Sequence, residues 1–287
     1  MTKPMSTLRR HMIEDMKMRN MSPNSQKVYA YAVANFAAFH GKSPDKLGPE
    51  HVREYRLHLI GRGLKATSIN PIIGALRFFY GTTLRRKEMI EYIPYARRED
   101  TLPAVLTPDE VVRLFKAVPN LKIRTALITT YAAGLRISEV VALTARDINS
   151  ERMVIEVRQG KGRKDRYVML SEQLLGILRA YWRRTRPTTW LFPGPNPSRH
   201  ITVRSLQRAC HEAVTAAGLS PAVSVHTLRH SFATHLLEQG VDIRVIQDLL
   251  GHRQITSTTR YARVALNMIR QVQSPLERLN MEDVAPA

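Results

Sequence analysis

The stretch from His226 to Tyr261 concentrates the side chains of this chain that could act on a phosphodiester. His226 and Arg229 stand three apart, so on a helix they share one face. Gly251 follows the apolar run Val245, Ile246, Leu249 and Leu250, which makes it a helix C-cap with His252 just beyond. Tyr261 comes nine positions after His252, behind Thr256-Ser257-Thr258-Thr259, a run rich in N-cap residues. Two imidazoles, a guanidinium and a phenol are what a site needs to hold a phosphodiester and attack it without metal.

Two more cations carry little weight alone. Arg136 lies with Glu139 in residues 123–145, an apolar segment that reads as buried helix broken at Gly134. A guanidinium there needs a partner, because breaking a buried pair costs on the order of 3–5 kcal/mol. A structural Arg136–Glu139 pair at i,i+3 is therefore the competing reading. Lys161 sits near the tip of a hairpin in Gly160-Lys161-Gly162, and a lysine in a turn is ordinarily solvated. That tripeptide lacks the spaced first glycine and following Ser/Thr of an ATPase phosphate loop.

Cys210 and His211, taken with His226, His230 and His235, raise a metal reading. His226 and His230 have the spacing of zinc proteases, but Thr227 stands where their glutamate would be. Zinc also needs three or four ligands with a second shell. Helix packing is the expectation for His230 and His235, and neither metal nor cofactor is expected.

The elements that must position these groups are mostly helical. Leu8, Met12 and Met16 form one stripe; Ser22-Pro23 caps a second helix bearing Val28, Tyr31, Ala32, Phe36 and Phe39, which Gly41 stops. A third helix runs from Pro49 to Leu59, and a fourth from near Thr67 carries Ile72, Ile73, Leu76, Phe79 and Tyr80. These stripes read as the core of a small four-helix domain. Arg53, Arg56, Lys65, Arg77, Arg85, Arg86 and Lys87 outside them tilt toward phosphate contacts. Residues 94–106 have two prolines and no periodicity and read as a linker. Domains over 1–98 and 99–287 follow from this. Thr107-Pro108-Asp109-Glu110 is a capping box that opens the next helix. Residues 153–170 alternate as a β-hairpin, and further helices cover 172–185 and 199–217. The expected fold is mostly α with a small β-hairpin or sheet.

Charge points to the partner class. The 287 residues hold 44 Lys/Arg against 24 Asp/Glu, a net +20. Residues 1–100 carry 18 basic against 9 acidic side chains and the remainder 26 against 15, so both parts suit a surface that surrounds a polyanion. The single cysteine excludes an intrachain disulfide and fits a reducing compartment. No apolar run has transmembrane length, and the charged first residues do not read as a signal peptide, so a cytoplasmic or nucleoid protein without membrane contact is expected.

The segment AAGLRISE around Arg136, the hairpin with Lys161, the block HTLRHSFATHLLEQG, the LLGH ending at His252 and the tyrosine nine residues on resemble the tyrosine recombinases, or phage integrases. The nearest likeness is to bacterial Xer recombinases and mobile-element integrases, and it covers nearly the whole chain. The resemblance implies a core-binding domain followed by a mixed α+β catalytic domain from about residue 107. It implies that Arg136 and Arg229 bind the scissile phosphate of double-stranded DNA and that Lys161 protonates the leaving oxygen. His226 matches the general base, His252 the second histidine that supports the phosphate, and Tyr261 the nucleophile. Ala133 departs from the threonine of many relatives. A homotetramer across two DNA sites is a further implication, as is docking of the tail stripe Val264, Met268, Ile269 and Val272, limited by Pro275, on a neighbouring protomer; the competing reading of that stripe is that it folds back on its own domain. A type IB topoisomerase and a catalytically silent DNA-binding protein are the competing functions.

Overall fold

Capping chemistry sets most helix boundaries in the computed structural model, which describes residues 6–97, 103–158, 165–251 and 258. The chain divides into two units, Met1–Asp100 and Thr101–Ala287. The first holds helices α1 (Thr7–Met18), α2 (Pro23–His40), α3 (Pro49–Gly61) and α4 (Ala66–Phe78). Ser22 Oγ accepts from the Ser25 N–H at the start of α2, Pro23 occupies its first turn, and Gly41 closes it at φ +62°. Met12, Met16, Phe36, Val52, Leu59, Ile73 and Leu76 lie in the core between these helices.

Two expectations for this unit are corrected. Val28, Tyr31 and Phe39 are exposed, although their spacing reads as core. The buried arc of α2 passes through Ala32, Phe36, Val33 and Ala30, and the other three lie at its margin or beyond it. The basic residues are not all available to phosphate either. Arg77 donates to the Ile90 and Ile93 carbonyls at 2.7 Å, Arg86 to Asp45 O at 2.7 Å and Arg56 to Pro94 O at 3.1 Å. These guanidiniums satisfy main-chain oxygens that helical bonding leaves over. Asn70 pairs with both the N–H and the carbonyl of Ala96, so the first residues of the expected linker are held to this unit.

The second unit comprises α5 (Pro108–Lys116), α6 (Leu121–Ala132), α7 (Ile137–Val141), β1 (Ile148–Asn149), β2 (Val154–Val157), β3 (Arg166–Met169), α8 (Glu172–Thr185), α9 (Val203–Ala216), α10 (Val225–Glu238) and α11 (Ile243–Leu250). The Thr107–Glu110 capping box is formed in both directions. Central α6 packs against α5, α7, α8, α9 and α10. Thr125, Thr129 and Thr130 are buried on it because each hydroxyl donates to the carbonyl four residues earlier. The antiparallel sheet has order β1-β2-β3, with Ile155 opposite Val168 and Val157 opposite Arg166; β1 is the strand that alternation did not reveal. Helix α9 begins at Val203 rather than Arg199, since the Ile201 N–H bonds to Phe192 O and Thr202 supplies the cap. Among the described residues no helix is long and apolar enough to cross a membrane.

The break after α6 is steric as well as conformational. Gly134 has φ +58°, and a Cβ there would lie 2.4 Å from Phe232 Cδ1 and 2.5 Å from its Cε1. Gly134→Ala combines left-handed strain with overpacking. It is expected to cost about 2–4 kcal/mol, read as a lowered urea midpoint at unchanged m-value. A midpoint equal to the parent's would show that neither the clash with Phe232 nor the left-handed backbone carries a cost.

Candidate active site

Arg136 is the N-cap of α7, and Glu139 one turn later reaches back to it. The Arg136 N–H donates to Glu139 Oε2 and its Nη1 to Oε1, each at 2.8 Å. The i,i+3 pair is therefore real, but it is part of something larger. Arg166 on β3 grips the same carboxylate bidentately at 2.9 and 2.8 Å, and Arg229 Nη1 on α10 stands 3.9 Å from Oε2. Burial alone would raise the Glu139 pKa, yet the hydrogen bonds from Arg166 and Arg136 and the charge of Arg166 hold it down to about 2. Among the described residues one carboxylate thus faces three guanidiniums, a local excess of positive charge suited to an anion.

The C-terminus of α11 supplies the other half of the arrangement. Its last carbonyls have no partner within the helix, and each takes a different arginine. Arg166 Nε donates to Leu249 O at 2.9 Å, Arg229 Nη2 to Leu250 O, and Arg136 Nη2 to Gly251 O at 3.0 Å. Arg229 Nη1 also bonds the Gly134 carbonyl at the end of α6. The negative end of the helix dipole favours cations in this place. Side-chain exposure is 18% for Arg136, 12% for Arg166 and 1% for Arg229. Arg136 is the most open of the three to an incoming anion. At 1% exposure, Arg229 reaches an incoming anion only once the groups that cover it move.

His226, in the first turn of α10, is exposed, and its ring meets His230 edge-on at 4.5 Å. It lines a cleft of about 310 Å³ with Ile137, Gln207, His211 and the 221–225 turn, so the residue after Arg136 and His226 border the same space. Gly251 caps α11 at φ +59°, as the apolar run before it implies. Lys161, His252 and Tyr261, and the tail from Val264 to Pro275, lie outside the described residues. His235 is engaged in packing: Nε2 donates to Leu106 O at 2.9 Å and Nδ1 pairs with the Tyr131 hydroxyl at 2.8 Å. Cys210 sits in the core, where burial pushes its thiol up to about 11.

Arg166 is the residue that reading the sequence missed. The signal was available: Val168 is buried, and Arg166 two positions earlier shares its side of the strand. A guanidinium on the covered side of a strand calls for a carboxylate partner.

The model of the phage integrase family matches residues 104–268, and that of the phage integrase N-terminal SAM-like domain matches residues 8–89. An integrase/recombinase of Sinorhizobium fredii is 48% identical over 96% of this chain and 90% of its own. The tyrosine recombinase XerA of Pyrococcus furiosus is 34% identical, with 96% of each chain covered. The Tn1549 transposon integrase, solved in complex with transposon right end DNA, superposes with a TM-score of 0.70 at 19% identity, covering 98% of this chain and all of that one.

Proposed function

The chain belongs to the phage integrase family, the tyrosine recombinases, and from this we propose that it cleaves and rejoins double-stranded DNA at specific sites with Tyr261 as nucleophile. The observation that carries the proposal is the cluster of Arg136, Arg166 and Arg229 on Glu139, with Ile137, the residue after Arg136, on the cleft that His226 lines. Arg136 grips a nonbridging oxygen of the scissile phosphate, and Arg229 joins it from the buried side. Planar guanidiniums suit that task, since charge builds on those oxygens as attack proceeds. His226 takes the Tyr261 proton, and the phenolate oxygen bonds to phosphorus. The bond from phosphorus to the 5′-oxygen breaks, Lys161 protonates that oxygen, and His252 supports the phosphate. The 3′-phosphotyrosyl ester conserves the bond, so a 5′-hydroxyl of a second duplex reverses the step without ATP.

Residues 1–98 act as a helical clamp and 99–287 as the catalytic domain. Four protomers hold two duplexes, and the apolar stripe Val264, Met268, Ile269 and Val272 docks on a neighbour. The DNA complex of the transposon integrase supports the choice of DNA as partner. A substrate of this kind goes with work in the cytoplasm, where Cys210 stays reduced.

The test is to incubate the full chain with a random duplex library, trap SDS-resistant adducts, sequence the DNA and map the attached peptide. A recurrent sequence esterified to Tyr261 is expected. No adduct, or one on another tyrosine, overturns the proposal; relaxation of a paired-site plasmid without exchange makes the protein a topoisomerase. The net +20 gives a second expected result. With roughly 6–10 phosphate contacts, affinity for the recovered duplex should drop about 10³–10⁵-fold between roughly 50 and 200 mM salt. A flat salt profile would remove phosphate contacts as the source of affinity.

A further inference from the structure

We propose that Arg166 is a positioning residue for cleavage, acting through Glu139 to hold Arg136 in the orientation that meets the phosphate; this rests on the reading of Arg136 given above. Each of the three guanidine nitrogens of Arg166 is already engaged: Nη1 and Nη2 with the two Glu139 oxygens, Nε with Leu249 O. Three of its five N–H donors are thus committed to two other elements, α7 and α11. Both oxygens it fixes are the ones that receive the Arg136 N–H and Nη1. The backbone makes room for this contact. A Cβ on Gly251 would lie 3.1 Å from Arg166 Cδ and 3.3 Å from its Nε, so the positive-φ glycine that ends α11 also lets the side chain pass.

One guanidinium therefore joins the strand that follows the Lys161 hairpin, the carboxylate that templates Arg136, and the helix end that precedes His252. A lysine at this position keeps the charge but cannot span both carboxylate oxygens and a carbonyl with a rigid fork. The expected consequence is a cleavage defect with intact DNA binding, because small misplacement of a phosphate-gripping group lowers rate by roughly 100-fold.

The experiment uses the full chain and the duplex recovered by covalent trapping, made with an ordinary or a methylphosphonate scissile group. Methylphosphonate lacks the nonbridging charge that Arg136 grips, so a defect that runs through Arg136 shrinks on it. Arg166→Lys is expected to bind within about threefold of the parent and to form adduct roughly 100-fold more slowly at saturating protein. The defect should fall at least about tenfold on methylphosphonate, as removal of the charge predicts. An unchanged rate, or equal defects on the two substrates, overturns the proposal. Arg136→Lys separates the two readings. If it cleaves the ordinary duplex like the parent, the phosphate clamp itself is wrong; if it is defective while Arg166→Lys is not, only the positioning role fails. Should Arg166→Lys not fold, Arg166→Met in a Glu139→Gln background removes the buried pair together. Its rate should then match that of Glu139→Gln within about threefold, and additive losses would overturn the idea.

Discussion

Tyr261→Phe is expected to bind the recovered duplex as tightly as the parent and to give no SDS-resistant adduct. The substitution removes one oxygen and leaves the ring. Binding rests instead on phosphate contacts from the basic surface that the net +20 implies. In the proposed mechanism the chemistry rests on that oxygen, because a phenol with an ordinary pKa of about 10 becomes a nucleophile only as cationic neighbours help it lose its proton. Phenylalanine leaves no atom to form the ester, so the loss is complete rather than graded. Adduct formed by Tyr261→Phe would mean that another of the ten tyrosines attacks, and weakened binding would mean that Tyr261 serves the interface instead.

Local chemistry was the legible part of this fold. The Ser22 cap, the Thr107–Glu110 box, Gly41, Gly134 and Gly251 each announce a boundary through a rule that operates within a few residues, and the structure has them there. Packing between elements was less legible. Val28 and Tyr31 fit a helical stripe by spacing, yet which arc of α2 is covered depends on neighbours that periodicity does not specify. The candidate site divides in the same way. Arg136 and Glu139 are three apart and could be paired on sight, whereas Arg166 meets Glu139 across 27 positions and Leu249 across 83. Contacts at that separation arise only when β3, α7 and the end of α11 converge. The three consecutive carbonyls at 249–251 that receive three arginines are a product of tertiary structure alone.

Glu139→Gln is expected to weaken both the fold and the reaction, since it leaves Arg136, Arg166 and Arg229 around a neutral amide. Breaking a buried pair of this kind costs about 3–5 kcal/mol. The depressed pKa leads to a similar figure: a fall from 4.5 to about 2 corresponds to roughly 3 kcal/mol at neutral pH. Because the folded-state pKa lies below the unfolded one, this stabilisation is fully present above about pH 4.5 and is lost as pH falls toward 2. The parent should therefore lose more stability than Glu139→Gln between pH 5 and pH 3, since the variant has already given up the ionised group. Urea unfolding at the two pH values measures the difference directly. Adduct formation should drop by at least about 100-fold at pH 7, because the amide cannot accept from Arg166 and Arg136 as the carboxylate does, and Arg136 loses its orientation. A variant as stable as the parent at pH 7, with the same slope into acid, would show that the arginines are held by the α11 carbonyls alone and that the carboxylate is incidental.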